Sequence, residues 1–319
     1  PGRKTDVKDC QWLAHLLRHG LVRGSFIPPR PIRELRDLTR RRRQLLGAGT
    51  SEKNRVQKVL EDANIKLASV LSDLFGVSGQ QMLEALVCGN PTPTQISAFA
   101  RCRLKQRIPE IQAAVEGHRL TDHHRFLLRQ SLEYLKFLEQ QIAMLDEEIM
   151  AKLQPYQTQF ELLQTIPGVK RESAATLIAE IGTDMTQFPT ASHLVAWAGV
   201  CPGNNESAGK RKTAHSRKGN RWLRGMLTQS AWAATRKSKS YFTSRYSRIA
   251  THRGSKRAVV AMARFLLIIA YHVLTRMTPY HELGPNYLDE RQRTSQIHYH
   301  LKRLGALGVT LPVPIRAPS

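Results

Sequence analysis

The chain has 319 residues, of which 41% are hydrophobic, and its 49 Lys and Arg against 25 Asp and Glu give a formal net charge of +24. That hydrophobic share excludes wholesale disorder, and the length suits about two domains. The charge says nothing of the fold but argues for a polyanionic partner. Cys10, Cys88, Cys102 and Cys201 are widely spaced and form no CxxC pair. They speak against a disulfide scaffold or a zinc site and for a reducing cytoplasmic setting. The chain opens on Pro1 rather than Met, without a signal-like segment, as expected of numbering that begins inside a longer protein.

In chain order, residues 1–20 predict a loop running into a helix. Trp12, Leu13, Leu16 and Leu17 recur at helical spacing, and Gly20 supplies a stop. Pro28, Pro29 and Pro31 predict a short linker. A long helix is expected next, with Leu35, Leu45, Val56, Leu60, Leu67 and Leu74 on its apolar stripe and Arg40 to Arg43 on its other faces. Gly47 and Gly49 are points where it would fray or bend. Punctuation from Gly76 to Pro93 predicts several short elements.

His124 to Leu153 reads as a second long helix, in which Leu128, Leu135, Ile142 and Ile149 repeat every seven residues. With Glu139 and Asp146 where a strict seam would be apolar, the expectation is an imperfect coiled coil packed against the first long helix. A compact domain follows from about Phe160 to Leu274. Its apolar run from Ala258 is interrupted by Arg264 and falls short of a spanning helix, so it reads as a buried core helix and no membrane partner is expected. The polar tail after Pro279 carries one amphipathic helix, about Tyr287 to Leu304. Strand signals are weak, so the fold class is mainly α.

Several stretches carry chemistry. Thr165-Ile-Pro-Gly168 and the helical run to Gly182 have the pattern of a helix-hairpin-helix element. There a turn at Gly168 presents backbone N–H groups to a DNA phosphate; a plain helix-helix turn fits equally well. No Asp or Glu occurs between Glu206 and Glu282. Lys210, Arg211, Lys212, Arg217, Lys218, Arg221 and Arg224 open a cationic run there, interleaved with Trp222, Trp232, Tyr241, Phe242 and Tyr246. Cations neutralise phosphates and aromatics stack on unpaired bases, which favours nucleic-acid binding over a merely solvated face. Asp6 and Asp9 stand one helical turn apart, close enough to share a Mg²⁺ ion. Helix capping by Asp6 is the simpler reading of those two residues alone. Ser207 sits in the turn-rich loop Gly203-Asn-Asn-Glu-Ser-Ala-Gly209 beside the cations. A hydroxyl there could attack a phosphodiester, although most loop serines are inert.

Taken together, KTDVKD, SFIPPRPIRELRDLTR, NRVQKVLEDANIKL, TIPGVKRESAATLIAEIG, HLVAWAGVCPGNNESAGKRK, RKGNRWLRGMLTQSAWAA and LGPNYLDE resemble the insertion-sequence-110 transposases. These are DEDD transposases related to the Piv invertases, and the resemblance covers nearly the whole chain. It implies an RNase H-like (RuvC-like) domain with a DEDD tetrad, a coiled-coil region, and a C-terminal transposase domain bearing a catalytic serine. On that basis residues 1–30 are the C-terminal remnant of the RuvC-like domain, 31–155 the coiled-coil region, 156–275 the transposase domain and 276–319 a tail. Asp6 and Asp9 match the last two tetrad carboxylates and Ser207 the family serine. The implied cofactor is Mg²⁺. The implied partners are double-stranded DNA, a structured guide RNA and further copies of the chain in a dimer or tetramer, in the bacterial cytoplasm at the nucleoid. The first Asp and the Glu of the tetrad would lie upstream of residue 1. Two expectations follow: a recombinase recorded from an internal residue, or a catalytically inactive nucleic-acid-binding remnant.

Overall fold

A computed structural model of the chain describes residues 5–22, 26–203, 206–207, 209–211, 216 and 218–308, with the backbone alone at Glu206, Ser207, Arg211, Arg291 and Thr294. The described residues are mainly helical, as the periodicity predicts. They fall into two units: residues 35–154, and residues 1–34 together with 155–319.

The first helix, α1 (Asp6–Arg18), is capped by Thr5, whose hydroxyl accepts the Lys8 N–H. The cap is therefore Thr5 and not Asp6, because the residue before the first helical position is the one whose oxygen faces the free N–H groups. Gly20 has a φ of 65°, and the Gly20 and Leu21 amides turn back to the Leu17 and Leu16 carbonyls, ending the helix where glycine predicts. No residue of α1 is buried, and Trp12, Leu13 and Leu17 are exposed.

Helix α2 (Arg30–Asp62) takes Pro31 into its first turn, where a missing N–H leaves no bond unmade, so Pro31 is a helical residue and not linker. Gly47 and Gly49 lie inside it without interrupting it. It ends well before Leu74. Asn64 adopts a φ of 58°, and the Ile65 N–H donates to the Leu60 carbonyl, a left-handed cap that asparagine tolerates. Short helices α3 (Leu67–Val70), α4 (Val77–Cys88), α5 (Pro93–Ser97) and α6 (Ile108–Val115) follow. A single helix, α4, thus fills most of the stretch where Gly and Pro predict several. Burial of Met82, Leu83 and Leu86 outweighs the local cost of Gly79.

The long helix α7 (Asp122–Leu153) is capped by a reciprocal Thr121–His124 pair. Three links tie it to α2 within this unit: Arg42 to Asp146, Ser131 to Glu52 and His124 to Asp62. Their order shows that the two helices run antiparallel. Asp146 breaks the heptad seam because it answers Arg42. Val56, Leu60, Met82, Leu86, Ile111, Leu128 and Leu135 share one core cluster, which joins both long helices to the short ones.

The other unit continues with α8 (Gln157–Gln164), α9 (Arg171–Ile181), α10 (Ala191–Trp197), a small antiparallel ribbon of β1 (Glu206–Ser207) and β2 (Lys210–Arg211), then α11 (Arg221–Thr235), α12 (Tyr241–Arg253), α13 (Ser255–Arg276) and α14 (Tyr287–Ala306). Helix α13 is the axis of this unit. Among the described residues it is the one helix long and apolar enough to cross a membrane. Here Val259, Met262, Leu266, Leu267 and Val273 are buried against α8, α10, α11 and α12, which accounts for its composition as a core helix. Arg264 faces out. Helix α14 rests on α12 through an Arg248–Asp289 ion pair and a Tyr241–Tyr287 ring contact.

Candidate nucleic-acid interface and serine hairpin

Ser207 lies on a strand and not in an irregular loop. It ends β1 as the register partner of Lys210, with Glu206 opposite Arg211. Gly209, directly before β2, has a φ of 72°. Directly opposed residues are the closest neighbours in an antiparallel pair, so Lys210 is the cation nearest Ser207 along the ladder. An isolated antiparallel bridge pairs Pro202 with Ser216 on the two sides of this ribbon. Lys212 and Arg217 lie outside the described residues. Lys218 and Arg221 are exposed and Arg224 is half-buried.

The chain on each side of the ribbon is held to the helices. At the entry, the Val200 N–H donates to the Val195 carbonyl. At the exit, Gly219 comes so close to α10 that an added Cβ would lie 2.5 Å from the Gly199 nitrogen. The next residue, Asn220, caps α11: its Oδ1 accepts the Trp222 and Leu223 amides at 3.0 and 3.1 Å. Its Nδ2 donates to Glu180 Oε2 at 2.5 Å, and Glu180 is fully buried in α9. A buried carboxylate needs such partners, because an unpaired one is strongly penalised in a low-dielectric interior. Sequence reasoning did not single out Glu180, Gly219 or Asn220. An acidic residue inside the apolar run LIAEI was the available signal.

Gly168 occupies the α8–α9 turn with a φ of 82°. A Cβ there would overlap the Ser230 carbonyl and lie 2.8 Å from the Ala234 nitrogen. The turn is thus packed on α11, a role that the Pro-Gly pattern does not separate from phosphate binding. Rival serines are poorly placed for chemistry: Ser230 is buried in α11 and its hydroxyl donates to Ser173 on α9.

Asp6 and Asp9 occupy the first turn of α1, three residues apart, Asp6 exposed and Asp9 half-buried. Among the described residues no group of three His, Cys, Asp or Glu converges to hold a metal ion. Two carboxylates on one water-facing turn do not by themselves fit a Mg²⁺ site, which needs near-octahedral oxygen ligation. All four cysteines are free thiols.

With this geometry in hand, the likeness to known sequences falls where the site lies. Residues 160–247, which hold the ribbon, its anchors and α11, match the model of the transposase IS116/IS110/IS902 family. Residues 1–65, which hold Asp6 and Asp9, match a second transposase model, of the DEDD type of IS110. Both are models of IS110-type transposases, and they match separate stretches of the chain. A stretch of 128 residues is 33% identical to the insertion element IS110 uncharacterized 43.6 kDa protein of Streptomyces coelicolor. That stretch is 39% of this chain and spans about a third, 31%, of the relative. The two carboxylates on α1 and the serine on β1 thus lie within the two matched stretches.

Proposed function

We propose that the chain is a DNA-binding and strand-exchanging part of an IS110-type transposase, with Ser207 as nucleophile. The carrying observation is that a small antiparallel ribbon sets Ser207 opposite Lys210 within the stretch that matches the IS110 transposase model. In the proposed reaction the Ser207 hydroxyl oxygen bonds to a DNA phosphorus and the bond from phosphorus to the 3′ oxygen breaks. The serine proton passes to a base and the departing 3′ oxygen takes a proton. One phosphodiester is exchanged for another, so a later attack by a different 3′ hydroxyl releases the serine and rejoins DNA.

Lys210, Arg211, Lys212, Arg217, Lys218, Arg221 and Arg224 are assigned to phosphate contacts, with Gly168 offering backbone N–H groups beside them. Asp6 and Asp9 are assigned as two carboxylates of a Mg²⁺ site, and further ligands are required to complete it. The assigned partners are duplex DNA, a structured guide RNA and one or three further copies of the chain, acting at the bacterial nucleoid. Charge supports a nucleic-acid partner, while the guide RNA and the oligomer rest on the family likeness. A second reading, a non-catalytic nucleic-acid-binding module, is favoured by the absence of a third metal ligand among the described residues.

The test is a denaturing gel of protein incubated with labelled DNA, guide RNA and Mg²⁺, using the chain joined to the segment that supplies the remaining carboxylates. Ser207→Ala should keep nucleic-acid binding and lose the covalent protein–DNA band, since the change removes one hydroxyl and leaves the basic residues in place. A band that persists in Ser207→Ala and vanishes in Ser216→Ala sinks the assignment. Absence of any band, with binding intact, favours the second reading.

A further inference from the structure

Helix α11 presents one unpartnered face. Arg221, Gly225, Gln229, Trp232 and Arg236 are all exposed and follow one another at steps of four, four, three and four residues, a single stripe along the helix and its C-cap. Over these residues the stripe is about 22 Å long at 1.5 Å per residue. Arginine stands at each end. Arg221 lies over the Trp222 ring at 4.9 Å, and Trp232 leans on Tyr246 at 5.9 Å, so the stripe is braced from its flanks.

Gly225 lies within this stripe. Glycine inside a helix weakens it relative to alanine, and is retained where something must come close. Among the described residues nothing beyond its own helix backbone and chain neighbours lies within 4 Å of where its Cβ would be, as is also true of Gly47 in α2 and Gly305 in α14. Gly168 and Gly219, by contrast, are each filled by a neighbouring backbone. Gly225 thus leaves the stripe open to close approach at that point. The sequence around it indicates the chemistry, because no carboxylate occurs from Ser207 to His281 to repel a polyanion.

We propose that α11 docks along B-form duplex DNA, with a sugar–phosphate strand passing directly over Gly225 and the two terminal arginines meeting flanking phosphates. A B-DNA major groove admits an α-helix, whereas the A-form RNA groove is too narrow. This rests on the reading of the basic domain as DNA-binding, and deepens it by naming the contact element and the point of closest approach.

Gly225→Ala tests it, because its two effects have opposite signs. The thermal midpoint should rise by roughly 2–4 °C, as expected for Gly→Ala in a helix. Affinity of the full chain for a labelled mixed-sequence DNA duplex, read by fluorescence anisotropy, should fall about five- to tenfold as the new methyl intrudes on the contact. Gly225→Leu should lose more. Arg221→Ala and Arg236→Ala should each lower the logarithmic salt slope by about one. Unchanged affinity in Gly225→Ala and Gly225→Leu, with wild-type binding intact, overturns the docking and leaves the DNA-binding reading standing. A wild-type chain that ignores duplex DNA overturns both. A lowered midpoint for Gly225→Ala, or a loss seen with duplex RNA and not with DNA, also overturns the proposal.

Discussion

Asn220 does two jobs through one amide group, and both are readable by substitution. Its oxygen caps α11 and its nitrogen answers the buried Glu180. Asn220→Ala removes both, which should lower unfolding free energy by about 2 kcal/mol, from loss of the cap and of a hydrogen bond to a buried carboxylate. Asn220→Asp keeps a capping oxygen but sets a second carboxylate against the first. It should therefore be at least as damaging at neutral pH. Urea denaturation of both variants beside the wild type checks this. An Asn220→Asp protein as stable as wild type at neutral pH would show that Glu180 does not depend on this contact.

At the scale of elements, the pair α2 and α7 separates packing from charge. Leu135 is buried in the core cluster, while the Arg42–Asp146 pair is partly open to water. Leu135→Ala should cost about 2–5 kcal/mol through lost transfer energy and a residual cavity. Arg42→Ala should cost no more than about 1 kcal/mol, since solvent screens such a pair. The ranking is tested by denaturant midpoints of the two variants. The heptad run of α7 was visible because each buried leucine recurs in register within one continuous helix. The end of α2 was not, because the apolar period continues through Ala63, Leu67 and Val70 while the backbone turns left-handed at Asn64. A periodic pattern records which residues are buried and does not record where the chain bends between them.

For the molecule as a whole, the formal charge of +24 makes nucleic-acid binding salt-dependent. Affinity should fall by roughly 10³-fold or more between about 50 and 200 mM salt, as released counterions are resisted by mass action. Charge reversal at Lys210, Arg211 and Lys212 should flatten that slope, and an unaltered slope places the main contact elsewhere. Divalent metal gives a contrasting expectation. With no third carboxylate, His or Cys joining Asp6 and Asp9 among the described residues, calorimetric titration of the 319 residues with Mg²⁺ should show binding no tighter than about millimolar. A micromolar site would mean that further ligands are supplied within this chain.

Helical class, the two long helices, the buried character of α13 and the carboxylate-free basic stretch all follow from the sequence, because they depend on local period and on composition. The motifs around Asp6, Asp9 and Ser207 likewise pointed to the IS110 family before any geometry was known. Three things only the tertiary structure decided. It placed Ser207 on a strand opposite Lys210, since pairing depends on a partner across the ribbon and on anchors as distant as Val195 and Glu180. It separated Gly168 and Gly219, filled by neighbouring backbone, from Gly225, left bare on α11; a glycine's purpose is set by what stands over it, and that neighbour comes from elsewhere in the fold. It also showed that Asp6 and Asp9 gather no third ligand among the described residues, because a metal site is a convergence in space that spacing along one helix cannot supply.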